Sequence, residues 1–174
     1  GQYFSAHLPW STSLEETLRE FEIATIFVLR DPRDILCSLY HYIVGLRRHP
    51  LHAFIADPGK TEFDRYRLLI EGHENKPFIR PIALQLARFA PWLDSDTVLT
   101  VRFEELVGPG GGGCVTAKHD VLQRIATHAG FSSENLPRNI AQATGRTATL
   151  RKGKGGGWRR GRGNGRCRGA GHGA

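Results

Sequence analysis

The sequence predicts an α/β layered fold built on a parallel sheet. Two short runs rich in β-branched residues, Ala24–Leu29 and Thr97–Arg102, read as strands, and the first is continuously apolar, as a strand covered on both faces would be. Segments with helical spacing precede, separate and follow them. Alternation of this kind favours helices packed on a sheet. At 174 residues with 40% hydrophobic and 24% charged residues, the chain has about one domain's length and enough apolar material for a core.

The elements follow in order. Tyr3-Phe4-Ser5-Ala6 predicts a short strand that ends at His7, ahead of Pro9. Residues 13–22 predict a helix with Ser13 as N-cap, acids in its first turn, and Leu14, Leu18 and Phe21 on one face. The strand at 24–29 ends at Arg30, and Asp31-Pro32-Arg33-Asp34 then opens a helix reaching about Val44. There Asp31 suits the cap, Pro32 the first helical position and Asp34 the first turn. Residues 47–62 read as a loop because of Pro50, Pro58 and Gly59. Residues 62–73 and 80–91 read as helices. The strand at 97–102 leads into a short helical turn at Phe103–Val107. The run Gly108-Pro109-Gly110-Gly111-Gly112-Gly113 predicts a flexible linker. It lacks the GxxxxGK[ST] spacing of a phosphate loop. Residues 117–130 predict a helix closed by Gly130.

Charge is concentrated at one end. The net charge is +7, yet residues 151–174 hold 8 of the 24 basic residues and no acid, leaving 16 basic against 17 acidic residues in 1–150. The body carries no basic excess, which argues against a nucleic-acid-binding face on it. Residues 153–174 contain 10 glycines and almost nothing apolar after Trp158, so a partial domain over 1–158 and a disordered Gly/Arg-rich tail over 159–174 are expected. Cys37, Cys114 and Cys167 fit no metal spacing and no dense disulfide framework, and free thiols in a reducing compartment are expected. No run approaches the roughly 18 apolar residues of a membrane span, and no leader segment is visible. A cytoplasmic location without membrane partners is the resulting expectation. Methionine is absent even at position 1, which predicts that Gly1 is not the natural start.

Three constellations carry chemistry. In the first, a strand delivers Arg30 to the mouth of a helix, and Ser38 stands about two turns on. Ligands of open α/β sheets collect beyond the carboxyl ends of strands. A helix N-terminus there favours phosphate, and arginine adds a permanently charged fork. The plainer alternative is that Arg30 pairs with Asp34 and Ser38 faces a neighbouring element. In the second, Arg151, Lys152 and Lys154 stand among Gly153, Gly155, Gly156 and Gly157, before Trp158. Such a segment can wrap a phosphate with backbone N–H groups and cations, or be a basic low-complexity tail. In the third, His7 precedes Leu8-Pro9. A histidine there can take a proton from an attacking hydroxyl or be structural.

Taken together and in this order, these motifs resemble the sulfotransferase family. His7-Leu8-Pro9 resembles its catalytic histidine segment. Arg30 to Ser38, read RDPRDILCS, resembles its 3′-phosphate-binding strand and helix. Val101-Arg102-Phe103-Glu104-Glu105-Leu106 resembles a later strand with its acidic ending. Arg151-Lys152-Gly153, with Gly156 and Trp158, resembles its RKGxxGxW segment. The likeness spans about residues 3–159. It implies a three-layer parallel sheet with flanking helices, the P-loop-NTPase-like sulfotransferase fold, incomplete in this chain. It also implies a co-substrate, 3′-phosphoadenosine 5′-phosphosulfate (PAPS), and a small-molecule acceptor hydroxyl or amine. Arg30, Ser38, Arg151, Lys152 and Gly153 would hold the 3′-phosphate. Phe103 would lie near the adenine, and His7 would be the general base. The scheme calls for no metal.

The departures from that pattern are specific. No Lys-Ser/Thr-Gly-Thr-Thr loop for the 5′-phosphosulfate occurs, Ser5 stands where a second lysine is common, and Gly157 stands where Asp is common. After Trp158 the acidic, apolar helix of the family gives way to Gly/Arg repetition. An N-terminally truncated piece with an aberrant tail accounts for these features. The alternative from another class is a non-catalytic nucleotide- or RNA-binding protein using the Gly/Arg segment.

Overall fold

The computed structural model describes residues 4–132. Their order is α1 (Thr12–Glu20), β1 (Thr25–Leu29), α2 (Pro32–Gly45), α3 (His52–Ile55), α4 (Glu62–Glu71), α5 (Ile82–Ala87), a 3-10 turn (Ala90–Leu93), β2 (Val98–Arg102), α6 (Phe103–Val107), a second 3-10 turn (Gly108–Gly111) and α7 (Val115–His128). β1 and β2 pair in parallel. The protein is therefore mixed α/β, with a two-stranded sheet among the described residues. Residues 4–27 and 31–98 form one compact unit, and residues 28–30 and 99–132 belong to another.

In the first unit, α2 packs on α3 and α4. The core is Tyr40, Ile43, Ile55 and Leu69, with Leu36 and Tyr66 against it. The Tyr40 and Tyr66 rings meet at a tilt of 32°, with centroids 4.5 Å apart. α3 lies within residues 47–62, which the sequence predicts as loop. Ile55 is fully buried, and His52 Nδ1 lies 2.9 Å from the Ile43 carbonyl. These tertiary contacts sustain a single helical turn that has too few residues to show a periodicity. α4 begins with a capping box in which Thr61 and Asp64 satisfy each other's backbone N–H groups. The helix predicted at 80–91 is broken instead. α5 stops at Ala87 and a 3-10 turn holds Pro91, whose missing N–H and bulky ring prevent an α-helix from continuing.

The predicted strand at the start of the chain is corrected as well. Phe4–Ser11 has no regular secondary structure. It is tied by single bonds, from Trp92 Nε1 to the Leu8 carbonyl (3.2 Å) and from the Trp10 N–H to the Arg88 carbonyl (3.0 Å). α1 is capped by Ser11, whose hydroxyl accepts from the Leu14 N–H, and not by Ser13.

In the second unit, α6, the turn at Gly108–Gly111 and α7 pack together. The glycine run is ordered here, against the linker expectation. Gly108 and Gly111 are buried, and the Gly113 N–H donates to the Gly108 carbonyl at 3.0 Å. A Cβ on Gly113 would stand 2.3 Å from the Glu104 carbonyl oxygen. Glycine at this point permits close backbone packing. α7 ends in a Schellman motif. Gly130 adopts φ 69°, the Phe131 N–H donates to Ala126 and the Gly130 N–H to Thr127.

Candidate functional site

The carboxyl ends of both strands belong to the second unit, and two of the sequence-predicted residues meet there. The apolar run Thr25–Leu29 forms β1, and Arg30 follows its last residue. Phe103 follows the last residue of β2 and opens α6. The Arg30 guanidinium lies over the Phe103 ring, with Cζ 4.5 Å from the ring centroid. This is within the range of a cation–π contact. Phe103 is itself held in place. α6 is pinned by the close approach of Gly113 to Glu104, and Arg124 Nη2 of α7 donates to the Thr100 carbonyl of β2 at 3.2 Å.

Arg30 is not consumed by a carboxylate. Among the described residues its guanidinium makes no hydrogen bond and no ion pair, and its Nε is closed from solvent without a partner. Pairing of Arg30 with Asp34, the plainer sequence reading, is therefore not what the structure holds. Asp31, the residue after Arg30, is occupied by its own helix and by its neighbour. Its carboxylate caps α2 by accepting from the Arg33 N–H at 2.9 Å, and it accepts from Arg33 Nη2 at 2.6 Å. Pro32 fills the first helical position. The helix opening that the sequence predicts from Asp31 and Pro32 thus forms as read.

Of the remaining predicted residues, Ser38 and His7 belong to the first unit and the others lie outside the described residues. Ser38 is exposed on α2 in the first unit, and its hydroxyl makes no hydrogen bond among the described residues. His7 is exposed in the irregular segment at 4–11. Arg151, Lys152, Gly153 and Trp158, together with the predicted tail at 159–174, lie outside the described residues.

Two features escaped the sequence reading. Glu15 collects hydrogen bonds from Trp10 Nε1 (2.7 Å), from the Ser95 hydroxyl and from Thr97 Oγ1 (3.5 Å). Those from Ser95 and then Trp10 hold its carboxyl below the usual range. This carboxylate ties the segment that carries His7 to the start of β2's approach. The only sequence trace was a tryptophan five residues before an acid at a helix start. The second is Tyr66. Burial first, then the neighbouring Cys37 thiol, pushes its hydroxyl well above the ordinary phenol range. That places a phenol–thiol pair one residue before Ser38. Among the described residues no group of three or more His, Cys, Asp or Glu is gathered as a metal site, and no helix is long and apolar enough to cross a membrane. Compared with known proteins, the chain matches no family model, no curated protein and no solved structure.

Proposed function

We propose that this chain is part of a PAPS-dependent sulfotransferase, acting on a hydroxyl or amine of a small-molecule acceptor. The observation that carries the reading is Arg30. It is an unpaired guanidinium at the carboxyl end of a parallel strand, over an aromatic ring at the end of the adjacent strand. Such an edge is where α/β sheets receive ligands, and a cation without a protein acceptor suits a phosphate ester. The donor types fit a nucleotide carrying a 3′-phosphate. In this reading β1 and β2 are part of a larger, three-layer parallel sheet of the P-loop-NTPase-like kind.

The roles follow the sequence motifs. Arg30 and Ser38 bind the 3′-phosphate, Arg151, Lys152 and Gly153 close over it, and Phe103 lies beside the adenine. When bound, PAPS supplies a sulfuryl group already attached to a good leaving group. His7 accepts the proton of the acceptor hydroxyl on an imidazole nitrogen while the acceptor oxygen bonds to sulfur and the bond from sulfur to the 5′-phosphate oxygen breaks, with adenosine 3′,5′-bisphosphate as the leaving group. The remaining work is positioning and positive charge, because a loose in-line transfer asks little covalent chemistry of the protein. The sequence has no Lys-Ser/Thr-Gly-Thr-Thr loop, so stabilisation worth several kcal/mol at the leaving oxygen is missing from residues 1–174, and turnover by this chain alone is low.

Deleting residues 159–174 tests this reading against binding by the Gly/Arg segment. Binding of adenosine 3′,5′-bisphosphate survives the deletion if the site is that of a sulfotransferase. If all polyanion binding vanishes with the segment, the RNA-binding alternative replaces it.

A further inference from the structure

We infer that Phe103 is a positioning residue for Arg30, its ring holding one face of the guanidinium so that a phosphate ester is received on the two terminal nitrogens and not on Nε. The inference rests on the phosphate-binding role proposed above for Arg30. It starts from two facts within one unit. Arg30 Cζ lies over the Phe103 ring, 4.5 Å from its centroid, so the ring covers the side of the cation turned toward it. Nε is closed from solvent and bonds to nothing. It is a donor that an arriving anion does not reach without rearrangement.

Among the described residues nothing accepts from Nη1 or Nη2 either. Those two nitrogens are left as the in-plane fork, and a fork of this shape matches two oxygens of a phosphate. In the proposed arrangement the ring and the anion do not compete, because the ring takes the face and the anion the edge. A guanidinium already laid on a fixed surface also loses less freedom when it binds. The surface is fixed because Gly113 packs against Glu104 of α6 and Arg124 ties α7 to β2.

The consequence is a requirement for an aromatic face at position 103 and for a fork at position 30. The test titrates the wild-type chain, F103Y, F103L and R30K with adenosine 3′,5′-bisphosphate by calorimetry, with thermal melts to establish that each variant folds. The Arg30 Nε–H proton is followed by NMR in the free and bound states, its peak assigned by its loss in R30K. F103Y should bind within about threefold of wild type. F103L should bind about five- to thirty-fold more weakly, the range of a cation–π contact from exposed to desolvated. R30K should lose at least as much, although it keeps the charge. The Nε–H proton should be shifted upfield by the ring in wild type, and that shift should be absent in F103L. If F103L does not melt cooperatively, F103M supplies the non-aromatic variant. Saturable wild-type binding that is unchanged in F103L, or equally weak in F103Y and F103L, overturns the role of the ring and leaves the phosphate site standing. Failure of the wild-type chain to bind the bisphosphate overturns the phosphate site, and the inference with it.

Discussion

Gly113 approaches Glu104 so closely that a Cβ on the glycine would lie 2.3 Å from the Glu104 carbonyl oxygen. The atom in the way is backbone, on the second residue of the helix that begins with Phe103. G113A should therefore lower stability by about 1–3 kcal/mol, as overpacking does, and reduce the melting midpoint by several degrees. Gly59 is the control, because its nearest atom is a side-chain oxygen 3.3 Å away. Thermal denaturation of both variants checks this, and an unchanged midpoint for G113A would show that the turn yields without cost.

Glu22 is the only non-glycine residue with positive φ among the described residues, at 50°. It occupies the position after α1 where glycine usually stands, since the Ile23 N–H donates back to the Leu18 carbonyl. E22G should raise stability by about 0.5–1 kcal/mol, the relief of left-handed strain less the added freedom of the unfolded glycine. E22A should not reproduce the gain. Equal melting midpoints for E22G and E22A would contradict this account.

Glu15 makes folding sensitive to acid. Its carboxyl is depressed below 4.5, first by the Ser95 hydroxyl and then by the Trp10 indole. A depressed carboxyl contributes stability above its unfolded pKa and loses it as pH falls through the folded value. The melting midpoint should therefore drop as pH is lowered below about 4.5, and less steeply in E15Q. Some slope should remain in E15Q. Asp57, held down first by Lys60, and Asp64, held down first by Thr61, are depressed as well. Parallel pH profiles for wild type and E15Q would remove Glu15 from this role.

How much of this was legible in the sequence depended on how local the cause was. β1 and the opening of α2 were readable because β-branched residues, Asp31 and Pro32 act within a few residues of themselves. α3 was not, because Ile55 and His52 hold it through contacts with α2. The cap of α1 was misplaced by two residues in a Ser-Thr-Ser run offering more than one hydroxyl, where Ser11 makes the bond. The glycine run was misread because composition reports freedom, whereas packing against Glu104 exploits the missing side chain. At the candidate site, Arg30 and Phe103 were both named from motifs 73 residues apart, and their contact was not legible from either. Pairing two strand ends is a property of the sheet and not of the motifs.

The central claim is that Arg30 belongs to a nucleotide 3′-phosphate site. The most direct measurement is calorimetric titration of the full chain with adenosine 3′,5′-bisphosphate, beside R30A and with adenosine 5′-phosphate as control ligand. The account predicts saturable binding that weakens by about tenfold or more, both in R30A and when the 3′-phosphate is absent, as expected for loss of a charge-assisted contact. A folded wild-type chain that does not bind the bisphosphate, or binds it no better than R30A does, would contradict it.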